Sequence, residues 1–201
     1  MRIQRVAIEN FRSIATLECG FDEVTTLVGP NNAGKSTVLR ALDWFFNGEK
    51  DSLSEDDLHR GAGPGARVRV RVDFDSLSDS DRDQLGERYA PSSDTLTLSA
   101  WRTWGDGEDK FTAKALAFPE FEKIRAKGAA GERRSAYADL RVARTDLDLP
   151  AAGSAAAADA AMDGWERANP ERLVEAEVSD THFFGFNGQG KMAGLLDFVF
   201  V

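Results

Sequence analysis

Apolar and polar positions alternate from the first residues. Arg2 to Asn10 reads as a strand, Phe11-Arg12-Ser13-Ile14 as a turn, and Ala15 to Cys19 as a returning strand. Gly20-Phe21-Asp22 turns the chain again. The run Glu23-Val-Thr-Thr-Leu-Val28 is β-branched and apolar, which predicts a buried strand. Ser36 to Phe46 changes to helical spacing and is stopped by Asn47-Gly48. The stretch 47–65 is acidic and then rich in Gly and Pro, so it predicts a loop with a short helical turn near Glu55 to His59.

Strict alternation resumes where Val68, Val70, Val72 and Phe74 interleave with Arg69, Arg71, Asp73 and Asp75, a strand with one wet face. Ser78-Asp-Ser-Asp81 resembles a capping box and predicts a helix to about Tyr89. Thr95 to Trp104, the turn Gly105-Asp-Gly107 and Lys110 to Phe118 complete a meander of three antiparallel strands. From Glu120 to Arg144 the pattern is helical and basic. Leu149 to Gly153 breaks it, and Ser154 caps an Ala-rich helix through Trp165 toward Asn169-Pro170. The chain closes on Phe184-Gly-Phe-Asn-Gly-Gln-Gly-Lys191 and an apolar, strand-like run, Leu195 to Val201.

Composition narrows the classes. The 201 residues are 42% hydrophobic with 13 Phe, enough for a core, and the net charge of −9 argues against a chain that clamps nucleic acid along its whole surface. The local basic excess, Lys123, Arg125, Lys127, Arg133, Arg134, Arg141 and Arg144, is the one candidate footprint for a phosphate backbone, with a solvated helix surface as the plain alternative. A single cysteine, Cys19, excludes an internal disulfide and suits a reducing cytosol. No apolar run approaches the ~20 residues that cross a bilayer. The expected setting is cytoplasmic, with no membrane partner.

One stretch carries specific chemistry. Gly29-Pro30-Asn31-Asn32-Ala33-Gly34-Lys35-Ser36-Thr37 fits the P-loop pattern G-x-x-x-x-G-K-[ST] between a predicted strand and a predicted helix. Gly29 and Gly34 allow the backbone to approach a phosphate closely, so that successive N–H groups surround it. The helix start adds unsatisfied N–H groups and the positive end of its dipole. Lys35 is the candidate catalytic residue, reaching the β- and γ-phosphates of ATP. The Ser36 hydroxyl is the candidate Mg²⁺ ligand, and Thr37 a candidate for the α-phosphate side. Asp73 and Asp75 allow a metal reading, but they share their face with Arg69 and Arg71, which fits plain surface charge. His59 lacks a neighbouring ligand and reads as a loop residue, and His182, beside Phe183 and Phe184, as a packing residue.

Ile8-Glu-Asn-Phe-Arg-Ser-Ile14, followed by Leu27-Val-Gly-Pro-Asn-Asn-Ala-Gly-Lys-Ser-Thr-Val-Leu-Arg-Ala-Leu42, resembles the opening of RecF, SMC-type and related DNA-repair ATPases. The doubled Asn31-Asn32 is most similar to the OLD family (overcoming lysogenisation defect), ATP-dependent endonucleases associated with phage defence. Val68 to Phe74, Trp165-Glu166 and Phe183-Phe184-Gly185 resemble that family's long N-terminal ATPase region. The resemblance implies an α/β P-loop NTPase of the ABC-ATPase-head type, with an antiparallel meander and a helical insertion. The expected division is 1–119 for the P-loop part of the head, 120–178 for the insertion and 179–201 for a return to the core, cut short at a strand.

It also implies that Arg12 contacts the nucleotide, the alternative being an exposed arginine at a strand end. Asn32 would face the γ-phosphate or attacking water, and Gln189 would sense Mg²⁺ and water. Heads of this type join as homodimers or larger assemblies through ATP, and in the intact protein they act on DNA. The acidic Mg²⁺ ligand, the general base, the signature segment and the nuclease residues are not found in this stretch, so it is expected to bind ATP–Mg²⁺ and hydrolyse it poorly alone. Two other readings stand beside the endonuclease: a RecF- or SMC-like head without nuclease, and a non-catalytic nucleotide-binding module.

Overall fold

The computed structural model describes residues 1–31, 33–90, 92–178 and 192–199. The chain divides into two compact units, Met1–Lys114 with Thr181–Val201, and Ala115–Asp180. It is a mixed α/β structure built on an antiparallel sheet.

In the first unit β1 (Arg2–Phe11) and β2 (Ile14–Gly20) form a hairpin joined by Arg12 and Ser13, with Phe11 opposite Ile14. β3 (Val68–Asp75) lies antiparallel on the other side of β1, and β4 (Leu98–Gly105) beside β3. β5 (Glu108–Ala117) returns from β4, giving the order β2-β1-β3-β4-β5. The β4–β5 reversal needs left-handed backbone at Gly105, Asp106 and Gly107, with φ 138°, 54° and 74°, which accounts for two glycines around an aspartate.

The alternation in β3 works as its pattern predicts. Val68, Val70, Val72 and Phe74 are fully buried, while the four charged residues between them face the other way. Their counterpart is α1 (Lys35–Asn47), which buries Val38, Ala41, Leu42, Trp44, Phe45 and Phe46. Phe46 meets Phe74 edge-on at 6.2 Å, and Trp44 stacks on Phe11 at 6.5 Å.

Arg102 on β4 is the charged residue in this packing. Its Nε and Nη2 donate to the Asp109 carboxylate at 2.9 Å each. Nη1 donates to the carbonyls of Trp44 and, at 2.9 Å, Gly48, and Nη2 to Glu49 at 2.9 Å. The guanidinium lies 4.5 Å from the Trp44 ring centroid and 5.0 Å from that of Phe111. Carbonyls at and just beyond the C-terminal end of α1 thus receive a buried cation.

The structure corrects several expectations. Glu23 to Val28 is not a strand: Val24 and Val28 are 86% and 88% exposed, and no strand pairs with the run among the described residues. β-branched composition supplies propensity, but a strand also needs a partner's hydrogen bonds. Leu195 to Val199 likewise forms no ladder; instead Phe198 stacks on Phe46 at 5.0 Å and accepts from Asn47. The helix from Ser78 stops early, as α2 (Asp79–Leu85), where Gly86 takes φ 77°. Cys19 is half-buried on β2, and burial pushes its thiol pKa up.

In the second unit the basic helical stretch is two helices, α3 (Pro119–Arg125) and α4 (Ala130–Ala143), interrupted around Gly128. α5 (Ala155–Ala168) starts at the expected cap: Ser154 Oγ accepts from Ala157 N at 3.1 Å. β6 (Val174–Val178) follows. The unit has its own core of Phe118, Phe121, Ile124, Tyr137, Leu147, Leu149, Ala158 and Met162.

Arg102→Met would leave Asp109 buried without its counter-ion. The expected loss of about 3–5 kcal/mol is to be read from urea unfolding. In the second unit, the hydrogen bond and charge of Arg144 pull Asp146 from 3.8 to about 2. A carboxylate depressed in the folded state stabilises above its unfolded pKa, so this contribution is expected at neutral pH and lost as pH falls through about 2. Asp146→Asn should therefore lower the melting temperature at pH 7 and leave it nearly unchanged near pH 2.

Candidate functional site

The P-loop sequence leads directly into α1. Gly34 is the helix N-cap with φ 93° and ψ 3°, a conformation that side chains rarely adopt. No acidic residue occupies the first turn, so the positive helix end is not neutralised locally. The first intrahelical bond that involves the loop is Val38 N to Gly34 O at 3.0 Å. The N–H groups of Lys35, Ser36 and Thr37 precede it and have no intrahelical acceptor, the arrangement that favours an anion.

Lys35 folds back over the loop. Its Nζ donates to the carbonyls of Gly29 and Pro30, both at 2.7 Å, and Pro30 O also accepts from Ala33 N at 3.2 Å. The ammonium is thus centred on the loop that a phosphate would enter, held by two carbonyls that an anion can replace. Gly29, Pro30, Asn31 and Ala33 are exposed, as is Ser36, so the hydroxyl expected to hold Mg²⁺ is accessible. Asn32 lies outside the described residues, as do His182 and Gln189. The residues present fit a nucleotide phosphate: a free helix end, a loop lysine and an accessible hydroxyl converge without a competing carboxylate in the loop or first turn.

Thr37 has a different neighbour from the one its position suggests. Its Oγ1 is 2.9 Å from Ser13 Oγ, which ties the β1–β2 turn to the P-loop helix. Arg12, next to Ser13, donates from Nε to Asp57 Oδ1 at 2.8 Å, and His59 Nδ1 lies 2.9 Å from the Arg12 carbonyl. Ser13 and Asp57 were not singled out by the sequence. The only signal for Asp57 was the S-x-x-D spacing from Ser54, realised as a capping box around Glu55–Asp57. His59 is a framework residue, as expected of a loop histidine without neighbouring ligands.

The other candidates are structural. Asp75 takes a two-bond pair from Arg2, at 2.9 and 3.0 Å, and Asp73 lies 3.3 Å from Arg71 Nε. Among the described residues no group of three or more potential ligands could hold a metal. Two arginines of the basic stretch are paired with carboxylates within their own unit. Arg125 pairs with Glu166 at 2.8 Å, and with Glu122 and Asp163 at 2.6 Å. Arg144 pairs with Glu120 and Asp146, and Arg141 donates to Leu149 O. Burial would lower the Arg125 pKa, but the hydrogen bond and charge of Glu166, with Glu122, leave it raised. These arginines lock helices together rather than forming a free cationic face. Among the described residues no helix is long and apolar enough to cross a membrane.

A Cβ on Gly34 would meet Ser13 Oγ at 3.6 Å and Ile14 Cγ1 at 3.7 Å, ordinary contacts. The penalty of Gly34→Ala is therefore conformational, and a stability loss of about 1–2 kcal/mol is expected from thermal unfolding.

The AAA ATPase domain profile matches residues 1–145. The chain is similar to the Old nuclease of Escherichia phage P2, 39% identical over 59 residues, which is 29% of this chain and 10% of that protein. It is 42% identical over 41 residues to the OLD nuclease of Thermus scotoductus, 20% of this chain and 8% of that protein. It is 56% identical over 41 residues to the DNA double-strand break repair Rad50 ATPase of Methanopyrus kandleri, 20% of this chain and 5% of that protein. The matched stretches thus span a tenth or less of these relatives, and they bear out the resemblance to OLD proteins and DNA-repair ATPases. With residues 1–145 of 201 matched, the chain belongs to the AAA ATPase domain family.

Proposed function

We propose that this chain binds ATP with Mg²⁺ through Gly29 to Thr37 and forms the ATPase segment of an OLD-type ATP-dependent DNA endonuclease. The observation that carries the reading is the loop itself: Gly34 in a glycine-favouring conformation, an unneutralised helix start, and Lys35 centred over Gly29 and Pro30. In this reading the N–H groups at the start of α1 hold phosphate oxygens, and Lys35 exchanges its carbonyl partners for the β- and γ-phosphates. Ser36 holds Mg²⁺, which when bound neutralises phosphate charge. ATP binding and hydrolysis regulate DNA processing, and ATP joins two copies of the head. The division into 1–119, 120–178 and 179–201 belongs to the same proposal, as do a role in phage defence and a cytoplasmic location.

The match to a Rad50 ATPase, 56% identical over 41 residues, supports a second reading: a DNA-repair head without nuclease. The two differ in what ATP controls, cleavage in one and clamping on DNA in the other.

Titration with ATP, with and without Mg²⁺, tests the shared core of both readings. Lys35→Ala should weaken binding by about tenfold or more, and Ser36→Ala should remove most of the Mg²⁺ dependence while leaving metal-free binding nearly intact. Binding unaffected by Lys35→Ala would overturn the assignment. Phosphate release measured in parallel should be slow for the chain alone; turnover abolished by Lys35→Ala would place a complete hydrolytic site within these residues.

A further inference from the structure

With Arg125 and Arg144 assigned to carboxylates, the rest of the positive charge in the chain is unevenly placed. Among the described residues, the side chains of Arg40, Lys50, Arg60, Lys123, Lys127 and Arg134 make no hydrogen bond or ion pair. Arg40, Lys50 and Arg60 are spread over α1 and the loop after it. Lys123, Lys127 and Arg134 meet in one place, the junction between α3 and α4, and all are exposed.

Local geometry gathers these cations and removes the anions. The helical path of α3 carries on through Ala126, with φ −65° and ψ −13°, and Lys127 N still donates to Ile124 O at 3.1 Å. Lys127 therefore stands about one turn beyond Lys123. The α3 carboxylates are already occupied, Glu120 by Arg144 and Glu122 by Arg125, so nothing on α3 offsets the two lysines. On α4, Arg134 shares an exposed face with Gly131, Ser135 and Ala138, while Tyr137 is turned into the core. Glu132 and Asp139 lie about 160° and 140° round the helix from Arg134, off that face. The linking chain keeps the Cα atoms of Lys127 and Arg134 within about 17 Å of each other. Between them Gly128 and Gly131 leave open space, since an added Cβ would meet nothing within 4 Å.

We propose that the α3–α4 junction is a contact for the backbone of double-stranded DNA, in which Lys123, Lys127 and Arg134 meet phosphates without reading bases. Charge complementarity selects this partner. A duplex carries about one negative charge per 1.7 Å of axis, so a patch of this length faces several phosphates. Residues 126–135 hold no large apolar side chain, which a lipid surface would require as an anchor. A patch confined to one junction also agrees with a chain whose net charge is −9 and which cannot clamp DNA along its whole surface. The proposal rests on the reading of the protein as one that processes DNA, and adds where this chain touches it.

Fluorescence anisotropy with a labelled duplex of arbitrary sequence, repeated over a salt series, tests it on the whole chain. The triple variant Lys123→Gln, Lys127→Gln, Arg134→Gln should bind about tenfold more weakly at low salt and lower the slope of log affinity against log salt by about 2.7. Its melting temperature should be unchanged, because the replaced groups are exposed and unpaired. The charge-matched variant Arg40→Gln, Lys50→Gln, Arg60→Gln should bind like wild type. Equal losses in the two variants would overturn the contact in favour of a general charge effect. So would polyglutamate competing as well as unlabelled duplex at equal charge, which would favour an acidic polypeptide. If wild type binds and the first variant binds equally well, only the location is wrong. If wild type does not bind the duplex even at low salt, the contact and the DNA reading of this chain fail together.

Discussion

A buried guanidinium holds the first unit together. Arg102, 3% exposed, sits between the rings of Trp44 and Phe111, with Asp109 as counter-ion and three carbonyls at the end of α1 as further acceptors. Desolvating a charge is costly, and this one is tolerated because its donors are matched by carboxylate and carbonyl oxygens. The arrangement anchors the C-terminal end of the same helix whose N-terminal end carries Lys35 and Ser36. Gly48 shows how tight it is, since an added Cβ would come within 2.6 Å of Trp44 and 2.9 Å of Arg102 Nη1.

The second unit uses the same device. Glu166, 6% exposed, accepts from the Phe118 backbone at 2.8 Å and from Arg125, whose other partners are Glu122 and Asp163. Trp165 closes the arrangement against Phe118 and Phe121, at 4.8 and 5.3 Å. Arg125 and Arg144, which in one dimension look like part of a surface for phosphate, are once folded paired with carboxylates between the helices. That changes the reading of the chain's charge, because the arginines with fixed carboxylate partners are not free to meet a polyanion.

The P-loop and the turn beside it have a different character. The P-loop and the β1–β2 turn collect left-handed residues, Gly34, Asn10 and Arg12, and exposed polar groups whose current partners are carbonyls or hydroxyls. Strained or replaceable contacts beside a rigid helix suit a site that must exchange them for a ligand. The stiffness comes from Arg102 at one end of α1 and from the Ser54–His59 strap on the neighbouring turn.

Much of this was legible in one dimension. Period-two alternation placed β1, β3 and the β4–β5 hairpin, the change to helical spacing placed α1, and Ser154 marked the start of α5, because each signal acts between residues close in sequence. The Gly34-Lys35-Ser36 chemistry was legible for the same reason: a P-loop is a local motif. What could not be read was pairing across distance. Nothing near Arg12 announces Asp57, 45 positions away, and nothing near Arg125 announces Glu166. Val24 and Val28 have the residue type of a strand, yet whether a strand forms depends on a neighbour's hydrogen bonds, which no local pattern contains. Chain-local physics settled most of the elements and marked the P-loop motif; long-range packing settled which strands pair and which charges are structural.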